Sequence, residues 1–109
     1  ADNVSDAVDN TIDTYKALKK VNKGNGLEVH HIVEKRFAPA LGINKNKTGD
    51  MLSIALDKQT HRKFTNAWRE IEYGTNYKDL KPEQIWEVAQ KVYADYPDLL
   101  EAARKTIFN

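Results

Sequence analysis

The chain has 109 residues, 40% of them hydrophobic and 30% charged, with a formal net charge of +1 at pH 7; this fits one globular domain that can form a modest core without staples. It holds no cysteine, which excludes disulfides and thiolate metal sites, so any metal would have to be bound by nitrogen and oxygen. No stretch approaches the roughly 20 apolar residues of a membrane span, and the acidic, polar start "ADNVSDAVDN" is not a secretory signal; with no initiator Met, the chain reads as a piece processed or excised from a longer protein.

Residues 4–21 are predicted to form a first helix, because Val4, Val8, Ile12, Tyr15 and Leu18 recur at spacings of three and four. Lysines gather in its last turn, as the helix dipole favours, and "NKGNG" at 22–26 breaks it. "LEVHHIV" at 27–33 reads as a strand, with Leu27, Val29, His31 and Val33 on one face and Glu28, His30 and Ile32 on the other. On that alternation His31 taken alone is a core histidine and His30 an exposed one. "EKRFAPALG" is predicted to make a short helical turn ended by Pro39 and Gly42, "INKNKTGD" at 43–50 a polar loop, and "MLSIAL" at 51–56 a second strand.

Asp57 is a good N-cap for a helix over about 58–73, with Phe64, Trp68 and Ile71 on one face. "GTNYKDLK" breaks the pattern again. Pro82 then opens a helix to about 95, with Ile85, Trp86, Val88, Ala89, Val92 and Tyr93 on its apolar face. Pro97 opens the last helix, with Leu99, Leu100, Ala103 and Ile107 inward. The expected architecture is a mostly helical α+β single domain over 1–109, with a core at about 27–73 and helical flanks at 4–21 and 82–108. A two-stranded hairpin alone is marginal in water, so this one must pack on a helix.

All three histidines fall within residues 23–63, which carry eight basic and four acidic side chains, a net +4, while residues 1–22 carry −1 and the remainder −2. A local basic excess of this kind suits a polyanion. A hairpin followed by a crossing helix would bring His30 and His31 close to His61. Three imidazoles in one place suit a divalent transition metal or general-base chemistry near neutral pH. Phe64 and Trp68 are expected in the core rather than stacked on bases.

"EVHHIVEKRF" followed by "DMLSIALDKQTHRKFTNAW", roughly residues 27–70, resembles the ββα-metal (His-Me finger) nucleases of the HNH and endonuclease VII superfamily. Many of these are C-terminal toxin domains of secreted bacterial proteins, alongside the colicin-type DNases. The resemblance implies a hairpin-plus-helix metal core and a metal-dependent endonuclease, with DNA the favoured substrate and RNA the alternative. It implies one divalent ion (Mg, Mn, Ni or Zn) held by His30 and His61. His31 would be the general base and Glu28 an auxiliary group that orients an imidazole. Asp50 or Asn46 would pin the loop before the helix. Thr65, Asn66 or water would supply a third ligand, and Lys35, Arg36, Arg62, Lys63 and Arg69 would hold phosphates. A cognate immunity protein and delivery into a target-cell cytoplasm as part of a larger protein follow from the same resemblance. The competing reading is a non-catalytic helical binding module whose histidines form a structural or zinc site.

Overall fold

The computed structural model describes residues 12–69 and 79–108. Its sheet has three short antiparallel strands, β1 (Ile12–Thr14), β2 (Glu28–His31) and β3 (Leu52–Leu56), in the order β1-β3-β2. β3 lies at the centre: Ile54 faces Ile12 on one side and His30 on the other. That position accounts for its near-continuous apolar run, since Ser53 to Leu56 are all buried.

The predicted first helix is shorter than its apolar spacing implied. Ile12–Thr14 is strand, the helix α1 spans Tyr15–Val21, and the expected residues 4–11 lie outside the described residues. Ile12 and Thr14 are β-branched, which favours extended backbone. Thr14 also caps the helix, its Oγ1 accepting a hydrogen bond from the Ala17 amide at 3.3 Å. The 22–26 break contains Gly24 and Gly26, both at positive φ, a conformation that glycine adopts without a steric penalty.

β2 is also shorter than the expected 27–33. Leu27 is exposed; past His31 the Ile32 amide still donates to the Leu52 carbonyl at 3.1 Å, and Ile32 and Val33 are both buried in the core. The expected facing of the two histidines is reversed. His30 points inward at 2% exposure, and His31 lies half-buried on the opposite face. Three 3-10 turns follow, at Lys35–Phe37, Pro39–Leu41 and Lys45–Asp50, the second ended by Gly42 at φ 72°. The predicted 43–50 loop is thus mostly one of these turns.

Helix α2 (Lys58–Trp68) starts at its predicted cap. The Asp57 carboxylate accepts from the Thr60 amide at 2.8 Å and from its hydroxyl at 2.9 Å. Asp57→Ala removes both bonds and is expected to lower unfolding stability by about 1 kcal/mol, measured by urea titration. The helix ends at Trp68; residues 70–73 of its expected span, Ile71 included, lie outside the described residues. Helix α3 (Pro82–Val92) and helix α4 (Pro97–Phe108) complete the chain. α3 ends at Val92, short of 95, with Tyr93 as its C-cap.

One cluster of buried apolar side chains runs from Ile32 to Ile107 and joins β3, α2, α3 and α4. Phe64 and Trp68 lie in it at 1% and 0% exposure, as the sequence implied. The architecture is mostly helical α+β. Among the described residues, no helix is long and apolar enough to cross a membrane.

Candidate functional site

The end of β2 and the first turn of α2 bring the three histidines to one open cleft of about 320 Å³, lined also by Tyr15, Val29, Glu34, Lys35 and Arg36. The rings of His30 and His61 lie 5.0 Å apart, edge to face. Adjacent residues on a regular strand point to opposite faces, which would separate His30 from His31. The ladder runs regularly from Glu28↔Leu56 to His31↔Ser53 without a bulge. Both residues nevertheless line the cleft.

His30 packs against Phe64 at 5.7 Å and puts Nε2 2.9 Å from the Tyr93 hydroxyl. Burial, together with the neighbouring His61 and His31, lowers its pKa from 6.5 to about 3. The ring is therefore neutral at physiological pH, as a metal-ligating or hydrogen-bonding imidazole must be. His31 stacks on Tyr15 with centroids 4.2 Å apart, and its Nε2 lies 3.0 Å from the Thr48 carbonyl oxygen. A carbonyl only accepts, so Nε2 carries the proton and Nδ1 keeps the lone pair in the neutral ring. Desolvation and nearby Lys35 lower the pKa of His31, against an opposing pull from the Thr48 bond.

His61 approaches Glu28 with Nδ1 2.7 Å from Oε1, so Nδ1–H donates to the carboxylate and Nε2 is the remaining nitrogen. This is the imidazole-orienting place expected of Glu28. Each of the three rings is thus hydrogen-bonded through one nitrogen to an oxygen, which leaves its other nitrogen without a partner among the described residues.

The basic side chains divide among neighbouring clefts. Lys35 and Arg36 line the histidine cleft, with Arg36 Nε 2.8 Å from Glu34. Arg62 lines a second open cleft with Glu28, Lys58, Arg69, Thr65 and Asn66, which shares His61 with the first. Thr65 and Asn66 therefore meet His61 but not the other two rings. Lys63 instead donates to the Tyr96 hydroxyl at 3.2 Å.

The loop is pinned differently from expectation. Asp50 pairs with Lys16 at 2.7 Å, on the surface. Asn46 is held through its own amide, which donates to Asn44 Oδ1 at 2.9 Å. Asn44 begins the 3-10 turn, and His31 ties down its Thr48 carbonyl. Of the positions available, Asn44 has the side chain that a turn start favours. Sequence reasoning also missed Tyr93 and Tyr15. Tyr93 carried one usable signal, a hydroxyl on an apolar helix face that must find a partner.

Among the described residues, no group of three or more His, Cys, Asp or Glu side chains is arranged to hold a metal ion. Glu28 is engaged by His61, and His31 by Thr48. Each ring keeps its second nitrogen, and those of His30 and His61 belong to rings 5.0 Å apart. Two imidazole ligands would suit a borderline transition ion whose other positions stay open to water or substrate oxygen. They do not supply the four protein ligands of a closed structural zinc site. No family model, curated protein or solved structure matches this chain.

Proposed function

We propose that the chain is a metal-dependent endonuclease of the ββα-metal type that hydrolyses phosphodiesters, with DNA as its first substrate. The reading rests above all on the cleft where three hydrogen-bonded imidazoles each keep one nitrogen without a partner among the described residues. The antiparallel β2–β3 pair followed by α2 supports the reading, because such a core is built of a hairpin and a helix.

His30 and His61 would hold a divalent ion, which when bound supplies a Lewis acid for the developing charge on the phosphate and its leaving oxygen. His31 has the chemistry of a general base: neutral, half-buried, and proton-free at Nδ1. It takes a proton from the attacking water, while its Nε2–H bond to Thr48 keeps the ring from turning. Glu28 holds the orientation of His61. Lys35 and Arg36 bind the phosphate in the histidine cleft. Lys58, Arg62 and Arg69 bind the neighbouring backbone, a contribution that salt weakens. Action as the toxic domain of a larger secreted bacterial protein, in a target-cell cytoplasm and restrained by an immunity protein, follows from the family resemblance.

The decisive experiment incubates the purified domain with plasmid and with total RNA, in Mg²⁺, Mn²⁺, Ni²⁺ or Zn²⁺ and then with excess chelator. Nicked or linear plasmid that appears with metal and disappears with chelator is the expected result. Cutting of RNA alone moves the substrate to RNA. Both nucleic acids intact under every metal rules out the nuclease and leaves the helical binding module.

A further inference from the structure

Tyr93 lies just past α3, outside the hairpin and helix that carry the histidines, and is fully buried. Its hydroxyl has three neighbours at hydrogen-bond distance: the Ile32 carbonyl oxygen at 2.5 Å, Trp68 Nε1 at 3.2 Å and His30 Nε2 at 2.9 Å. A phenol offers one hydrogen and two acceptor positions. The Ile32 oxygen can only accept, so the single Tyr93 hydrogen points to it. The indole can only donate, so it occupies one acceptor position. One acceptor position remains for His30. An unprotonated Nε2 there would set two lone pairs against each other in a dry interior, where an unpaired polar group is costly. Nε2 must therefore bear the hydrogen, and in the neutral ring the lone pair is at Nδ1.

We propose that Tyr93 is a positioning residue: its hydroxyl, oriented by Ile32 and Trp68, locks His30 in the Nε2–H form and so makes Nδ1 the nitrogen offered to the cleft. That Nδ1 receives a metal rests on the nuclease reading; the tautomer itself does not. His61 is held the opposite way, with Nδ1 on Glu28 and Nε2 left over. The two candidate ligands thus present different ring atoms, each selected by a separate oxygen. The C-terminal helices accordingly do more than fill space around the core, since one of them carries the group that sets the ring chemistry of β2.

The test is nitrogen NMR of the imidazoles in chelator-treated protein near pH 7, for wild type and Tyr93→Phe, with calorimetric titration of Zn²⁺ and Mn²⁺ alone. Wild-type His30 is expected as a single tautomer with Nε2 protonated. In Tyr93→Phe the two tautomers mix, the His31 signals stay in place, and affinity for the metal falls about 10- to 100-fold. A wild-type His30 with its proton on Nδ1, or a variant that keeps the pure Nε2–H form, overturns the proposal. If Tyr93→Phe does not fold, the wild-type tautomer decides alone, and Trp68→Phe, which spares the hydroxyl, should retain it. Wild-type protein that shows the expected tautomer yet binds neither metal upholds the role of Tyr93 and removes the metal reading.

Discussion

Replacing His31 with alanine is expected to lower nucleic-acid cleavage by about 10²- to 10⁴-fold, the usual worth of a positioned general base, while the protein stays folded. The ring is half-buried at the end of β2, and its contacts are few: one stacked face on Tyr15 and one bond to the Thr48 carbonyl. Losing them costs on the order of 1 kcal/mol for the hydrogen bond. Metal affinity should hold, because His31 is not one of the two proposed ligands. The same substitution at His30 behaves differently. It empties a core position against Phe64, removes one of the three partners of the Tyr93 hydroxyl and takes away a proposed ligand, so stability and metal affinity fall together. Plasmid cleavage, thermal melting and metal titration on the two variants separate base from ligand. A His31→Ala protein that cuts at the wild-type rate removes His31 from the chemistry.

Acid is expected to unfold the chelator-treated protein through His30. Its pKa in the folded protein is about 3, well below the unfolded value of 6.5, so the unfolded chain takes up a proton that the native chain resists. Stability is complete above pH 6.5 and is lost progressively as pH falls toward 3. Over that interval the loss approaches about 5 kcal/mol at 1.36 kcal/mol per pH unit, comparable to the whole stability of a small domain. The lowered pKa of His31 adds in the same direction. The Asp50 and Asp57 carboxylates, held low by Lys16 and by Thr60, lose their stabilising contribution only as the pH falls into the carboxylate range and below. Denaturant melts from pH 7 to pH 4 measure the slope. His30→Gln, which cannot titrate, should flatten it between pH 6 and pH 4.5; an unchanged slope places the acid sensitivity elsewhere.

Chemistry-bearing spacing was easier to read than facing. The basic stretch, the paired histidines and the helix-borne His61 were legible as one constellation, because a strand, a second strand and an N-capped helix allow few arrangements. Asp57, Pro82 and Pro97 marked helix starts by local chemistry alone, and the structure begins helices after the first and at the other two. Failures came where a tertiary partner decided. Ile12–Thr14 fits a helical stripe, yet β3 recruits it as a third strand. The alternation in "LEVHHIV" assigned His31 to the core because it counted Val33 as part of the strand, whereas β2 ends at His31. Loop pinning went to Asn44 rather than Asp50 or Asn46, because the nearby Lys16 claims Asp50. Tyr93 could not be tied to His30 by any local pattern, since 63 positions separate them.

That separation has a consequence for how the molecule matures. Closing a long loop carries an entropic penalty that grows with its length, and contacts between distant segments form late and slowly relative to local ones. A chain supplied from its N-terminus releases both neighbouring imidazoles well before the phenol that anchors one of them. The hairpin and its crossing helix can therefore form with the ring of residue 30 still free to exchange its proton between nitrogens. The Nε2–H form of His30 is therefore expected only once the segment that carries Tyr93 has docked.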